Sequence, residues 1–351
     1  MKSSIIKQCA GVDISKKDFR VSLRIMYQDG KRPVKGSKKF NNNNTGFQEF
    51  VDWTKKKLTA NIRIKVVVEA TGVYHEDFVY YLHENTDFYL SVELPNKVKA
   101  YAKSLNVKSK TDRIDAKLLS QLGTERELRQ WKPMSTELRA LRQLTRHKTQ
   151  LQELKTATSN RLHAQTASHK PNEKIVTGLR DILRELEKQI ANTEDNIKDA
   201  IALDPQLQER VEKICAIKGL QIATVAVIIA ETGGFNLFTS RGQLISFAGY
   251  DIVEKESGSS VKGKTKISKK GNRYIRKALF FPAMTAARYE PSCIRLYNRV
   301  RDRTKIPKKG NVAVQRKLLI LIYTLFKKNE NYIRDFEQVK KEKRENILQK
   351  V

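Results

Sequence analysis

The first hundred residues alternate between short apolar runs and segments of helical spacing. Cys9–Ile14 is a short apolar run and Phe19–Met26 alternates, which predicts two strands. Asp29–Gly36 reads as a turn and Lys38–Asn41 as a third strand. Phe47, Phe50, Val51 and Leu58 fall on one face of a helix over Thr45–Leu58, with Thr45 as its N-cap. The tetra-asparagine Asn41–Asn44 before it reads as a loop. Ile64–Val68 is a β-branched run of the kind that fills a buried central strand. Helices at Val73–His83 and Asn96–Ser104 flank a strand at Phe88–Glu93. Three early strands followed by alternating helices and strands predict a mixed α/β sheet flanked by helices.

The pattern changes between Ser135 and Ala202. No glycine occurs from Met134 to Thr177, and Leu138, Leu141, Leu144, Leu151 and Leu154 mark a seam. Ile182, Leu183, Leu186 and Ile190 mark a second seam after a break at His169–Asn172. This predicts two long helices in an antiparallel hairpin or coiled coil, an arm for packing or dimerisation. From Asp204 the pattern is globular again, with helices predicted over Pro205–Ala216, Ala223–Thr232, Arg241–Ala248, Arg273–Tyr289 and Asn311–Lys328. A glycine- and serine-rich loop spans Lys255–Lys270, and a charged tail, helical or frayed, follows Asn331. The domains expected are therefore 1–130, 131–203 and 204–330, with a tail at 331–351. The architecture is α/β followed by α.

Charge changes the picture most. The 351 residues hold 69 Lys and Arg against 38 Asp and Glu, a formal net charge of +31. Such a surface attracts polyanions through long-range steering and counterion release, which points to nucleic acid. A ribosomal-type or merely charged protein shares this composition, so charge names no reaction. The most apolar runs, Thr224–Ala230 and Leu318–Phe326, fall short of the roughly 20 residues that cross a bilayer. No membrane span is expected. The N-terminus lacks a signal-peptide pattern, so a cytoplasmic protein is expected. Cys9, Cys215 and Cys293 are odd in number and far apart, and read as small buried hydrophobes rather than as a disulfide or zinc set.

Four acids stand out. Asp13 in GVDISKKDF and Glu69 in VVVEATGVY lie at the ends of predicted strands, where a charge is costly without compensation. Asp112 and Asp115 in KSKTDRIDAKLLS are spaced i, i+3 and share one helix face, with Thr111 or Ser109 as cap. Each has a structural reading: Asp112 as a helix-dipole acid, Asp115 as a surface charge, Glu69 as a lysine partner. Gathered together, they form an oxygen-rich set suited to Mg²⁺ or Mn²⁺ and to phosphodiester chemistry. His75, close after Glu69 and beside Tyr74, reads as an outer partner of such a site or as a surface group.

These three motifs, in this order, resemble the DEDD transposases of insertion sequences, relatives of the Piv invertases. The resemblance spans residues 6 to 330. It implies a RuvC-like (ribonuclease H-like) N-terminal domain whose four acids are Asp13, Glu69, Asp112 and Asp115. It also implies a C-terminal transposase domain, here mainly helical, and the central antiparallel coiled coil read from the leucine seams fits such an assembly.

The stretch ESGSSVKGKTKISKKGNRYIRK carries a second signal. Its glycines allow close backbone approach to phosphate, and Lys262, Lys264, Lys266, Lys269, Lys270, Arg273, Arg276 and Lys277 surround its serines. One reading is a phosphate-gripping loop. The other is a nucleophilic serine assisted by metal, since no histidine lies nearby in sequence. The resemblance assigns the nucleophile to Ser257, with Ser259 and Ser260 as neighbours, and a covalent serine–DNA intermediate to the reaction. It implies donor and target DNA as substrates, a bridge RNA as guide, and a homodimer or homotetramer in which acids and serine come from different subunits. Lys262, Lys264, Lys269, Lys270, Arg273 and Arg276 are the expected nucleic-acid contacts. IKGLQIATVAVIIAETG looks like a helix-hairpin-helix, but Gln221 stands where its turn would carry a second glycine. A phosphate-binding hairpin and a purely structural one both fit.

Three other readings share these residues. They are a resolvase-type nuclease in which water attacks, a Piv-like invertase, and a non-enzymatic nucleic-acid-binding protein with a degenerate site.

Overall fold

The computed structural model describes residues 4–107, 111–254, 256–257, 261–262, 265–336 and 338–340. The chain divides into two compact units, Met1–Pro133 and Met134–Val351.

The first unit is built on a five-stranded sheet. Its strands are β1 (Ile5–Ile14), β2 (Asp18–Tyr27), β3 (Val34–Asn41), β4 (Lys65–Glu69) and β5 (Tyr89–Glu93). Their order across the sheet is β3-β2-β1-β4-β5. The first three form an antiparallel meander, and β4 and β5 join parallel to β1. Helices α1 (Asn44–Lys57), α2 (Glu76–Asn85), α3 (Pro95–Ser104) and α4 (Asp112–Glu125) complete the unit.

β4 has its valines buried, as its β-branched run requires, and it is a central strand. The core of the unit is aromatic: Phe19, Phe40, Phe47, Phe50 and Phe78 pack together under α1 and α2. A second, smaller cluster of Cys9, Val67, Leu118, Leu119 and Leu122 lies beneath α4.

Two local predictions are corrected. The N-cap of α1 is Asn43, whose side chain accepts from the Gly46 amide, not Thr45. Helix α2 begins at Glu76 rather than Val73, because residues 72–75 turn through Gly72 at φ +58°.

The second unit opens with α5 (Thr136–Thr166) and α6 (Glu173–Ala202). Ion pairs Lys148–Glu194 and Lys155–Glu187 step in opposite directions along the two helices, so they form an antiparallel hairpin. The seam differs from the predicted one. Leu154 and Ile182 are 55% and 51% exposed, while Thr145, Thr158, Val176 and Thr193 are buried. Short threonines occupy contact positions that a search for leucines passes over.

The base of this hairpin is continuous with the remaining helices. Leu141, Ile197 and Ile201 share one core with Ile214, Ile229, Leu244, Ile275, Leu318 and Ile322. Those helices are α7 (Pro205–Cys215), α8 (Ile222–Thr232), α9 (Arg241–Ala248), α10 (Arg273–Ala278), α11 (Phe280–Tyr289), α12 (Pro291–Thr304) and α13 (Pro307–Lys328).

The segment expected as one helix over Arg273–Tyr289 is two, divided at Leu279. Helix α12 was not foreseen. Its inner face carries Cys293, fully buried, with Leu296 and Tyr297 partly buried against the core, set among Arg295, Arg299, Arg301 and Arg303. Cys9, Cys215 and Cys293 are free thiols, and burial pushes the Cys9 thiol up to about 12. No helix is long and apolar enough to cross a membrane among the described residues.

Candidate active site

The four acids are placed by the sheet and by one helix. In the parallel ladder of β1 with β4, Val12 stands opposite Val68. The next residues are Asp13 and Glu69, so both carboxylates leave adjoining strands at the same edge. On the other side of β1, Asp13 is opposite Arg20 of β2.

Helix α4 supplies the other pair. Thr111 caps it, its side chain accepting from the Ile114 amide, and Asp112 and Asp115 occupy the first turn. The path of α4 is fixed by two glycines. A Cβ on Gly11 would lie 2.3 Å from the Ala116 carbonyl oxygen, and one on Gly123 would lie 2.3 Å from Cys9 Sγ. The helix therefore runs antiparallel to β1, with its first turn at the Asp13 end. Arg20 Nε lies 3.8 Å from Asp112 Oδ2, which ties that turn to the same edge.

All four predicted acids thus meet one end of the sheet. Their side chains do not converge on a point. Among the described residues no three His, Cys, Asp or Glu groups are arranged to hold a metal ion. The donor set itself, four carboxylates, is the hard oxygen chemistry that Mg²⁺ and Mn²⁺ take.

Neighbouring groups have their own partners. Glu93, opposite Glu69 on β5, is buried, accepts from Ser91 Oγ at 3.0 Å and pairs with Lys97 at 3.3 Å. His75 is half-buried, and burial holds its imidazole below its ordinary pKa against the opposing charge of Glu76.

The serine lies in the second unit. What reads as a loop over Lys255–Lys270 contains two short ladders. β6 (Ile252–Val253) pairs with β9 (Lys266–Ile267), and β7 (Glu256–Ser257) pairs with β8 (Val261–Lys262). Ser257 is thus a strand residue opposite Val261, three residues short of its partner strand's return. Ser259, Ser260 and Lys264 lie outside the described residues.

The foot of this hairpin is firmly built. Ser268 donates its amide to the Asp251 carbonyl and its hydroxyl to the Asp251 carboxylate, at 2.8 and 2.7 Å. Asn272 caps α10 and donates to Glu231 Oε2 at 2.6 Å. Glu231 is fully buried and accepts two hydrogen bonds from Arg146 of α5, at 2.6 and 2.9 Å. One rigid connection therefore joins the hairpin foot, α8 and the arm.

Two family comparisons bear on this arrangement. Residues 10–171 match a family of DEDD transposases of the IS110 type, described as "Transposase". Residues 211–299 match the "Transposase IS116/IS110/IS902 family". The chain belongs to the IS110-type DEDD transposases. It is a DNA-recombining enzyme, and DNA is its substrate.

The transposase is also similar to the pilin gene-inverting proteins of Moraxella bovis and Moraxella lacunata. It is 28% identical to each over 251 residues, which cover 70% of this chain and 74% of theirs. It is 28% identical over 126 residues to an uncharacterized 43.6 kDa protein of insertion element IS110 from Streptomyces coelicolor, covering 36% of this chain and 28% of that one. A Ppx/GppA-family structure from Aquifex aeolicus aligns at 12% identity over 91% of this chain and 90% of that one, with a TM-score of 0.21.

The basic residues expected to grip nucleic acid divide into two groups. Lys269, Lys270 and Arg273 of the transposase are exposed. Arg276 is half-buried, and its Nη1 donates to the Ala248 and Asn272 carbonyls at 2.7 and 3.2 Å, so it clamps the hairpin foot. Lys277 pairs with Glu153 at 2.9 Å. At the suspected helix-hairpin-helix, Gly219 (φ +99°) faces α11, where a Cβ would lie 2.8 Å from the Pro282 carbonyl oxygen. That glycine serves helix packing.

Two contributors were missed from sequence. Asn42 donates to the Ser15 and Tyr74 carbonyls, at 3.0 and 3.1 Å. It staples the loop after β1 to the loop after β4, the two that follow Asp13 and Glu69. Arg20 was missed because its signal is positional: it emerges only when β2 is laid antiparallel to β1.

Proposed function

We propose that this transposase cuts and rejoins donor and target DNA through a covalent serine–DNA intermediate, guided by a bridge RNA. The observation that carries the reading is the gathering of Asp13, Glu69, Asp112 and Asp115 at one end of a β3-β2-β1-β4-β5 sheet. That strand order supports the RuvC-like reading of the first unit. Four acids placed at one sheet end, on two adjoining strands and one helix turn, are best explained by a shared task.

In this reading Asp13, Glu69, Asp112 and Asp115 hold Mg²⁺, with Mn²⁺ as its substitute. When bound, the divalent ion supplies Lewis-acid polarisation of the phosphate and lowers the cost of charge on the attacking and leaving oxygens. Ser257 Oγ attacks the DNA phosphorus, the P–O bond to one DNA oxygen breaks, and that oxygen receives the proton that the serine loses. Attack by a DNA hydroxyl on the serine phosphodiester then restores the serine and rejoins the strands. Lys262, Lys264, Lys269, Lys270 and Arg273 screen the phosphates around it.

The arm of α5 and α6 is read as a coiled coil that supports a homodimer or homotetramer, whose subunits share acids and serine between them. A bridge RNA accounts for sequence choice by base pairing.

The test is direct. Ser257→Ala is expected to abolish strand joining and the covalent protein–DNA adduct on a cut substrate, whereas Ser259→Ala and Ser260→Ala retain it. Normal cutting and joining by Ser257→Ala sinks the serine reading and favours a RuvC-type nuclease. Asp13→Asn is expected to lose both reactions; full activity removes the metal reading. Sequencing RNA that co-purifies with the protein tests the guide. A second reading, inversion within one DNA molecule, draws on the similarity to the pilin gene-inverting proteins. It uses the same residues and differs in how the DNA sites are arranged.

A further inference from the structure

The sheet face under α4 also bears a basic pocket. On β2, Phe19 and Val21 enter the aromatic core, so Arg20 between them points to the opposite face. In the β2–β3 ladder Arg20 stands opposite Lys39, and Ser22 opposite Ser37. Lys39 and Ser37 therefore share Arg20's face. The first turn of α4 covers this face and adds Arg113. Arg20, Ser37, Lys38, Lys39, Arg113 and Ala116 line a cavity of about 220 Å³. The Lys38 ammonium itself lies over the Phe40 ring at 4.9 Å, so three cations serve the cavity: Arg20, Lys39 and Arg113.

Its chemistry selects the ligand. The three cationic groups are all donors, and Ser37 adds a hydroxyl. No aromatic ring lines it among the described residues. It is smaller than the roughly 300–1,000 Å³ of small-molecule pockets. Asp18 pairs with Lys39 at 2.7 Å and Asp112 approaches Arg20 at 3.8 Å. The second separation is too long for a hydrogen bond, which leaves the Arg20 guanidinium its donors. Arg20 is also the cross-strand partner of Asp13, so the pocket adjoins the carboxylate edge.

We infer that this pocket binds a backbone phosphate of the DNA strand, adjacent to the phosphate processed at the carboxylates. The inference rests on the carboxylate reading of the site. It assigns Arg20, Lys39 and Arg113 a positioning role: they set where along the strand the carboxylates meet the DNA.

The experiment is a binding cycle on the full-length protein. The probe is a duplex of the element's end in which single phosphates are replaced, one at a time, by uncharged methylphosphonate. Wild-type protein is expected to lose about tenfold in affinity at one or two positions beside the cleavage site, as for a charge-assisted contact. The Arg20→Ala/Lys39→Ala protein is expected to bind about tenfold less tightly and to show no further loss at those positions. Arg113→Gln, a change on an exposed helical turn, provides the same comparison should the double variant fold poorly. Arg20→Lys/Lys39→Arg should restore the sensitivity.

Equal sensitivity in wild type and variants overturns the inference, as does a loss seen only on an RNA probe carrying the same replacements. Asp13→Asn separates the two claims. If it keeps the position-specific loss but not recombination, both stand. If it recombines normally, the carboxylate reading fails whatever the binding shows.

Discussion

Gly11 of β1 and Ala116 of α4 are in backbone contact: a methyl group on Gly11 would lie 2.3 Å from the Ala116 carbonyl oxygen and 2.1 Å from the Ser120 amide nitrogen. Both obstacles are main chain and cannot swing aside. This approach is what brings Asp112 and Asp115 to the Asp13 edge. Gly11→Ala is expected to lift α4 and to destabilise the first unit by about 3 kcal/mol, at the upper end for overpacking. Trp53 and Trp131, the chain's two tryptophans, both lie in this unit. Their fluorescence during urea unfolding reads it selectively. A midpoint unchanged from wild type would show that α4 is not seated on Gly11.

Asn42 is the second structural device at that edge. Both protons of its side-chain amide are used between the Ser15 and Tyr74 carbonyls. Asn42→Ala removes both bonds and is expected to cost about 1–2 kcal/mol of stability. Recombination should fall further than that loss of fold explains, because the loops after Asp13 and Glu69 lose their tie. Strand-joining rates measured well below the melting temperature check this. Unaltered rates would make Asn42 a stability residue alone.

The legible and illegible parts of this molecule differ for physical reasons. Strands β1, β2 and β4 announce themselves because a sheet buries every second residue or a whole apolar run. Asp13 and Glu69 stood out as candidates because a strand-end carboxylate in a basic chain is costly. The Asp112–Asp115 pair was visible because helical spacing is local. What sequence did not show depends on partners far along the chain. Arg20 gains meaning only from its register with Asp13 and Lys39, and Asn42 from two loops 27 and 32 residues away. The seam of the arm escaped for another reason: Thr145, Thr158 and Thr193 are buried there, and leucine spacing does not reveal threonine contacts. The hairpin at Ser257 was hidden because its ladders are two residues long.

His75 gives the first unit an acid sensitivity. Burial lowers its pKa below the ordinary value of 6.5, with the charge of Glu76 opposing. The unfolded chain therefore takes up a proton near that value, and the native protein only at lower pH. Above pH 6.5 this residue costs the native state nothing. As pH falls through 6.5 towards the folded value the unfolded state binds more protons, and stability is lost. Urea midpoints followed by tryptophan fluorescence from neutral to mildly acidic pH should decline in wild type. The decline should be shallower in His75→Gln. Parallel profiles for the two proteins would assign the acid sensitivity elsewhere.

Glu231 ties the serine hairpin to the arm, and its removal separates two outcomes. The carboxylate is fully buried, with Arg146 donating twice and Asn272 once. Glu231→Ala removes the buried carboxylate that both Arg146 and Arg142 face, which should destabilise the second unit by about 1–3 kcal/mol, since both guanidinium groups are partly solvated. Replacing both hydrogen-bonded partners, as Glu231→Leu with Arg146→Met, removes one of the two guanidinium charges, Arg142 at 3.8 Å being the other, and is expected to recover part of that stability. The double variant should still recombine poorly, because Asn272 loses its acceptor and the foot of the hairpin loses its attachment to α5. Thermal unfolding followed by helical circular dichroism and strand joining at a temperature where both proteins are folded distinguish these effects. If the double variant joins DNA at the wild-type rate, the connection from α5 through Glu231 to Asn272 supports the fold without positioning the serine.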